Sequence, residues 1–491
     1  MNEHLNPRLK KMGENQNLKN PHHIIIIPPP FQGHINPSIQ LTLNLASKGF
    51  IITFINTHAT HHQITKSNNK QETHDVFAGS GLDIRYRTIS DGFPLTFDRG
   101  LHREQFMMGR IHVLPAHVDE IVGQLVGLDP RPTCLVADTF STWGYDVARK
   151  YGLVFVSLWT QPALVLSVYC HVDLLKKNGH YGSKDICSKD TIDYIPGVKP
   201  LDPKNLVSFF QETDTSTPMH QIIHKAFSDV KKADFIICNT VKELEPESIS
   251  ALNLIRPTFA IGPLFPSHFT SPSIEMNLLS ESDCTKWLDN KPHGSVLYVS
   301  FGSYAHINIE YIKMIANGLL LSGLDFIWVF RPDIVNSEVT KVLHDGFLER
   351  VGKKGLIVPW CKQSAVLSHS SVGGFLTHCG WNSILESVWV GVPLICFPLI
   401  GDQITNRKVV VEDWKIGINL CEGENVSCGE VAERIKLVIS RETSNELRMN
   451  VERVKKVTEN ALSSNGLSLL GFDKFVEDLK AKIEDYHGEK K

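Results

Sequence analysis

The segment that most restricts the fold of this 491-residue chain is a strand–turn–helix–strand unit ending at Asp402-Gln403. Its first strand, GGFLT, runs through His378-Cys379-Gly380-Trp381-Asn382-Ser383 into the helical stretch SILESVWVG, which closes at Gly391 and Pro393. A second continuous apolar run, PLICFPL, follows. Two buried strands joined through a helix pair in parallel, so the unit demands an α/β sheet covered on both faces. Ligands of such sheets sit outside the carboxyl ends of the strands. The turn after GGFLT combines unpaired helix N–H groups with an imidazole, an amide and a hydroxyl, which suits a diphosphate. Asp402 and Gln403 leave the same edge as His378.

The same alternation opens the chain. HHIIIIPPP reads as a buried first strand and FIITFINT as a second. Between them a helix is expected to begin near Pro37, with Asn36 as its N-cap, and to end at Gly49. Thr57 to Gly81 reads as a polar loop. His58, His61 and His62 lie there without the Cys, Asp or Glu companions of a metal site. Gly79-Ser80-Gly81 precedes a strand, LDIRYRTI, instead of following one, so it is a weak nucleotide loop. GRIHVLPAHVDEIVGQLV reads as one helix. In PTCLVADTF, CLVA is a buried strand with Asp138 at its C-terminal end, the edge that also carries His34. A lone Asp there would by default cap the next helix, STWGYDVARKYG. LVFVSLW is a strand, and Tyr169 to Thr217 an irregular excursion that suits a pocket wall. The helix MHQIIHKAFSDVKKA, the strand DFIICNT and the helix ELEPESISALN complete the half. SVLYVSFGS, ending in Gly302-Ser303, restarts the alternation with the strands DFIWVF and GLIVPW. VAERIKLVIS and the final amphipathic GFDKFVEDLKAKIEDY read as helices.

A chain of this length exceeds one ordinary core and divides into two α/β domains. Residues 1–21 read as a disordered tail, 22–262 as the first domain, 263–284 as a linker, 285–470 as the second domain and 471–491 as a terminal helix and tail. The formal charge of −3 calls for neither nucleic acid nor an anionic membrane. No apolar run approaches a bilayer span. The 10 cysteines are scattered, without a C-x-x-C pair, so free thiols in a reducing compartment are expected. A cytoplasmic monomer is the expectation.

The ordered string Trp360, Gln363, His369, HCGWNS, Glu386, Gly391-Val392-Pro393, Pro398 and Asp402-Gln403 closely resembles the signature box of plant UDP-dependent glycosyltransferases of small secondary metabolites. Lys362 stands where that family usually has proline. Piece by piece the residues have plainer readings. Ser383-x-x-Glu386 is also a capping box, Trp360 and Trp381 could be core, and His378 a satisfied buried imidazole. The resemblance covers about His22 to Tyr486 and implies a GT-B fold, two facing Rossmann-like domains with parallel sheets and an interdomain cleft, its last helix crossing back to the first domain.

That resemblance implies roles. Trp360 would stack on uracil and the Cys361 backbone contact its edge. Gln363 and Glu386 would hold the ribose. Ser303, His378, Asn382 and Ser383 would hold the diphosphate, and Trp381, Asp402 and Gln403 would line the sugar. His34 matches the family's general base and Asp138 its partner carboxylate, for inverting transfer from UDP-glucose to an acceptor hydroxyl. The partners implied are a UDP-sugar and a small aglycone, with no metal ion or other cofactor. Phe140, Trp143, Phe155 and Trp159 are candidates for the acceptor wall, each with a core reading beside it. Two other functions fit the scaffold: a UDP-sugar hydrolase or epimerase, exposed by incubation with UDP-glucose alone, and a non-catalytic nucleotide-sugar sensor, which should lack His34 or Asp138.

Overall fold

The structure, a computed structural model, describes residues 21–67, 76–183, 185, 190–265, 276–331, 346–421, 427–440 and 442–488. The N-terminal tail, the middle of the expected linker and Cys187 lie outside the described residues.

Seven strands form the first sheet: β1 (His23–Ile27), β2 (Ile51–Thr57), β3 (Ile84–Ile89), β4 (Pro132–Asp138), β5 (Val154–Trp159), β6 (Phe235–Cys238) and β7 (Thr258–Ala260). Their order is β3-β2-β1-β4-β5-β6-β7. The second sheet contains β8 (Val296–Ser300), β9 (Asp325–Val329), β10 (Gly355–Val358), β11 (Val372–Thr377), β12 (Leu394–Cys396) and β13 (Gly417–Asn419), in the order β10-β9-β8-β11-β12-β13. Every strand pair in both is parallel. The strand HIIII, β1, is buried along its whole length because helices cover both faces of the sheet. The order reverses direction between β1 and β4 in one sheet and between β8 and β11 in the other. Those two switch points face one shared cleft.

Several local expectations change. The first helix runs from Gln32 to Ser47, not from Pro37, and Pro37 sits inside it. Proline's fixed φ fits a helix, and only its missing N–H must be tolerated. His34 therefore lies in the first turn. The segment expected as a loop contains a helix, His58–Ser67. The expected single helix breaks into Arg103–His112 and Leu114–Leu125, because Pro115 can start a helix but not continue one. Two short helices, Ala163–Cys170 and Val172–Lys177, reach into the stretch expected to be irregular. The helix Trp381–Val390 begins at Gly380 with no side-chain cap, so Ser383 is no N-cap and the capping box does not form.

The last helix, Leu467–Gly488, packs under the first sheet. Phe472, Phe475, Val476, Leu479 and Ile483 recur at helical spacing and are buried there with Phe235. Each such burial contributes about 1.5–3 kcal/mol. Lys482 adds an ion pair to Asp234 at 3.5 Å.

Candidate functional site

A cavity of about 320 Å³ opens where the two switch points meet. Its wall contains His34 and every residue assigned to the donor: Ser303, Trp360, Cys361, Gln363, His378, Trp381, Asn382, Ser383, Glu386, Asp402 and Gln403. Phe140 also lines it, whereas Trp143, Phe155 and Trp159 are buried in the core beneath.

On the β1/β4 side, His34 Nδ1 lies 2.7 Å from Asp138 Oδ2. The imidazole side chain is 17% exposed and the carboxylate 1%. Asp138 Oδ1 accepts the Phe140 N–H at 2.9 Å, so the carboxylate is fixed at both oxygens. An ionised carboxylate only accepts, which places the His34 proton on Nδ1 and leaves Nε2 as a base. Thr160 Oγ1, just past β5 and nearly buried, lies 3.0 Å from the same Nδ1. The sequence reading missed Thr160. Its position beyond the carboxyl end of the strand beside β4 was the available signal.

On the β8/β11 side, the turn after β11 is tightly built. Cys379 adopts φ 65°, a left-handed conformation uncommon outside glycine. Its N–H reaches Thr377 Oγ1 at 3.2 Å. A Cβ placed on Gly302 or on Gly380 would stand 2.5 Å from His378 Nε2, so both positions leave room only for hydrogen beside the ring. Burial, and then the Arg331 guanidinium, push the His378 pKa down to about 4. The ring is therefore neutral at pH 7 and can donate one N–H without carrying charge. Arg331 follows β9, is buried, and donates to the carbonyls of Ser303 and Ala305. It ties the loop after β8 to the end of β9, a role the sequence reading did not foresee. The uncapped N-terminus of Trp381–Val390 completes a cradle of donors for an anion.

Gln363 Nε2 donates to Ser383 Oγ at 3.0 Å and to Glu386 Oε2 at 2.8 Å. The pair expected to cap a helix is thus tied to a neighbouring element by one amide. Lys362, in the position the family fills with proline, has φ −71°, within proline's own range. Burial pushes the Asp402 pKa up to about 6, although Asn406 Nδ2 donates to it at 2.6 Å. Gln403 Oε1 is used internally, accepting the N–H groups of Leu399 and Ile400 at 2.9 and 3.0 Å. Only its amide NH₂ remains for a ligand.

Cross-domain contacts close the back of the cleft. Asn382 Nδ2 donates to the Gly33 carbonyl at 2.6 Å, Asn239 Nδ2 donates to Asn382 Oδ1 at 3.1 Å, and Trp381 Nε1 donates to the Asn239 carbonyl at 2.7 Å. Among the described residues no group of three or more His, Cys, Asp or Glu could hold a metal ion. His61, from the histidine cluster, instead meets the Tyr86 hydroxyl at 3.1 Å. The cysteines of the described residues are free thiols. No helix among them is long and apolar enough to cross a membrane.

Residues 216–458 match the family described as UDP-glucoronosyl and UDP-glucosyl transferase. The chain is 52% identical over 471 residues to UDP-glycosyltransferase 86A1 of Arabidopsis thaliana, covering 94% of this chain and 95% of that protein. It is 35% identical to the (R)-mandelonitrile beta-glucosyltransferase of Prunus dulcis, covering 94% of this chain and 98% of that protein. Among solved structures it is similar to Phytolacca americana UGT2 complexed with UDP-2fluoro-glucose and pterostilbene. That similarity has a TM-score of 0.77 at 28% identity and covers 94% of this chain and 100% of that one.

Proposed function

Because the chain belongs to the plant UDP-glycosyltransferases, we propose that it transfers glucose from UDP-glucose to a hydroxyl of a small plant metabolite with inversion, giving a β-glucoside. The observation that carries this reading is the His34–Asp138 pair, facing the His378 turn across one cavity. Residues 22–262 supply the acceptor side and 285–470 the donor side.

His34 Nε2 takes the proton of the acceptor hydroxyl as that oxygen attacks the anomeric carbon. The carboxylate of Asp138 stabilises the imidazolium that forms and keeps the ring in its working orientation. UDP leaves with the electron pair of the broken C–O bond. Negative charge then grows on the diphosphate, where the neutral His378, Asn382, Ser383 and the free N–H groups of the helix beginning at Trp381 receive it. Trp360 offers a flat face to uracil, with Cys361 at its edge. Gln363 and Glu386 meet the ribose hydroxyls. Trp381, Asp402 and Gln403 bound the hexose, and Ser303 reaches the phosphates from the other loop. One displacement at an α-linked donor inverts the centre. The protein donors suffice to take up the leaving-group charge without a metal.

The relatives support this class of acceptor: one is named for (R)-mandelonitrile and one solved neighbour holds pterostilbene, both small molecules. UDP-glucose is expected to be preferred over UDP-galactose, since Asp402 and Gln403 sit where a misplaced hydroxyl would leave a buried polar group unpaired. The test is to incubate the enzyme with UDP-glucose and a panel of hydroxylated aglycones, and to read the anomeric configuration of the product by NMR. A β-glucoside is expected. An α-glucoside, or release of free glucose at the same rate with and without acceptor, would sink the proposal.

A further inference from the structure

We propose that Arg110 is an acceptor-binding residue, and that the acceptor carries a carboxylate apart from the hydroxyl that receives the sugar. This rests on the glucosyl-transfer reading and narrows its substrate class.

Arg110 lies near the end of the helix Arg103–His112 and lines the cavity together with Phe31, His34 and Met107. It is only 8% exposed. Its guanidinium carbon lies over the Phe31 ring, 5.1 Å from the centroid, and Nη1 meets only the weak acceptor Met107 Sδ at 3.5 Å. Nε is buried without a partner. Among the described residues no carboxylate stands within ion-pair distance. Burial pushes its pKa down, and Asp138 partly restores the charge through space. Yet both Asp138 oxygens are already engaged, by His34 and by the Phe140 N–H.

Arg331 shares with Arg110 a buried Nε without a partner, but it and the half-buried Arg99 each place other N–H groups on strong oxygen acceptors. Arg99 grips Asp91 with two bonds, at 2.7 and 2.9 Å. Arg331 binds two carbonyls. A buried, uncompensated guanidinium is unfavourable unless something binds it. Its planar fork matches a carboxylate with two parallel bonds. The cavity that Arg110 lines offers a place for that carboxylate.

The geometry also separates the two ends of the acceptor. Arg110 and His34 flank the same Phe31 ring, whose centroid is 6.1 Å from that of the imidazole. An acceptor lying across Phe31 brings its hydroxyl to His34 while its carboxylate meets Arg110. The carboxylate is not the nucleophile. It is already ionised at neutral pH and needs no base, whereas His34 is held as one by Asp138. In the step itself the acceptor oxygen bonds to the anomeric carbon and its proton passes to His34 Nε2. UDP leaves with its bonding electrons, and the carboxylate is unchanged.

The experiment compares 4-hydroxybenzoate, 4-hydroxyphenylacetate and 4-hydroxycinnamate with their methyl esters at saturating UDP-glucose. The wild type is expected to favour at least one acid over its ester by tenfold or more in kcat/KM, with glucose on the phenolic oxygen. In Arg110→Gln that ratio should fall to about one, through the KM of the acid. Arg110→Lys should keep part of the preference. Melting temperature and UDP-glucose Kd report whether each variant has folded. If Arg110→Gln has not, the wild-type ratio and Arg110→Lys still decide. Esters equal to or better than acids in all three pairs overturn the inference, as does an unchanged ratio in Arg110→Gln or glucose attached through the carboxylate. If esters react and acids do not, this inference falls while glucosyl transfer stands. If no acceptor draws glucose from UDP-glucose, both fall.

Discussion

The two switch points of the molecule are built alike and behave differently. Each places an imidazole between a central parallel strand and the start of a helix with no side-chain cap and no acidic residue in its first turn: His34 lies within that turn beyond β1, and His378 lies directly after β11, three residues before its helix. What separates them is the neighbour. His34 has a buried carboxylate 2.7 Å from Nδ1, which fixes its proton on that nitrogen and leaves Nε2 facing away from it. His378 has a guanidinium nearby and two glycines against its ring, so burial and like charge hold it near pKa 4. In the proposed reaction one crevice would accept a proton and the other would receive an anion. Backbone topology supplies the place, and a single charged partner sets the chemistry.

The comparison breaks most visibly at His34. His34→Ala should lower kcat by about 10²–10⁴, while UDP-glucose affinity, set on the other side of the cleft, stays nearly constant. Asp138→Asn should cost on the order of tenfold or more in kcat. Steady-state kinetics with a weakly acidic alcohol, paired with calorimetric donor binding, check both. A His34→Ala enzyme with wild-type kcat toward that alcohol contradicts the base assignment.

Next in size is the donor turn. Gly380 has φ −63° and ψ 137°, a backbone any residue adopts, so alanine there introduces one disturbance only, a methyl 2.5 Å from His378 Nε2. Gly380→Ala should raise the Kd for UDP by roughly 10- to 100-fold, the loss of one or two charge-assisted bonds. Unchanged UDP affinity would show that the packing of the ring is irrelevant to the anion.

The third test uses pH. Asp402 titrates near 6 and lies by the expected hexose position, so it loses acceptor capacity as pH falls through 6. The preference for UDP-glucose over UDP, which cancels terms common to the diphosphate, should fall several-fold between pH 7.5 and 5. Asp402→Asn should flatten it. Stability carries the opposite signs. The raised Asp402 pKa contributes stability present below its ordinary 3.8 and lost as pH rises through about 6. The depressed His378 pKa contributes stability present above 6.5 and lost as pH falls through about 4. In the unliganded protein Asp402→Asn should therefore steepen the rise of melting temperature between pH 4 and 6.5.

Glu386 sharpens what the sequence could and could not show. Read locally, Ser383-x-x-Glu386 is a helix cap, and local statistics cannot see that Gln363 approaches from another element to take both side chains. Glu386→Gln should weaken UDP-glucose binding by about five- to twentyfold and move the melting temperature by less than about 2 °C. A large loss of melting temperature with unchanged donor KM would restore the capping role. The parallel sheets, His34, Asp138 and the turn after β11 were legible because strand-ending residues in a parallel sheet share an edge. Thr160, Asn239 and Arg331 obey the same rule, each just beyond β5, β6 or β9, and were overlooked because a single polar residue after an apolar run carries no motif. Arg110 had no such signal: it sits on a helix whose approach to the cavity is set by tertiary packing.

The smallest expected effect lies where the two crevices touch. Within the first helix, the N–H of residue 37 would bond the Gly33 carbonyl, but Pro37 has none. That carbonyl accepts Asn382 Nδ2 from the other domain instead, at 2.6 Å. A helical fault in one domain thus becomes an acceptor for the other. Pro37→Ala restores the missing donor, so the Gly33 carbonyl gains a competing intrahelical partner. The helix itself should gain, while the cross-domain bond loses strength, leaving the melting temperature within a few degrees of wild type and kcat within about threefold. The informative quantity is the coupling with Asn382→Ala, measured on the unliganded protein. If Pro37 acts by reserving the carbonyl for Asn382, the two substitutions should be non-additive by about 0.5–1 kcal/mol, because each weakens the same bond. Additive losses would mean that Asn382 holds the domains through Asn239 alone and that the proline serves only its own helix.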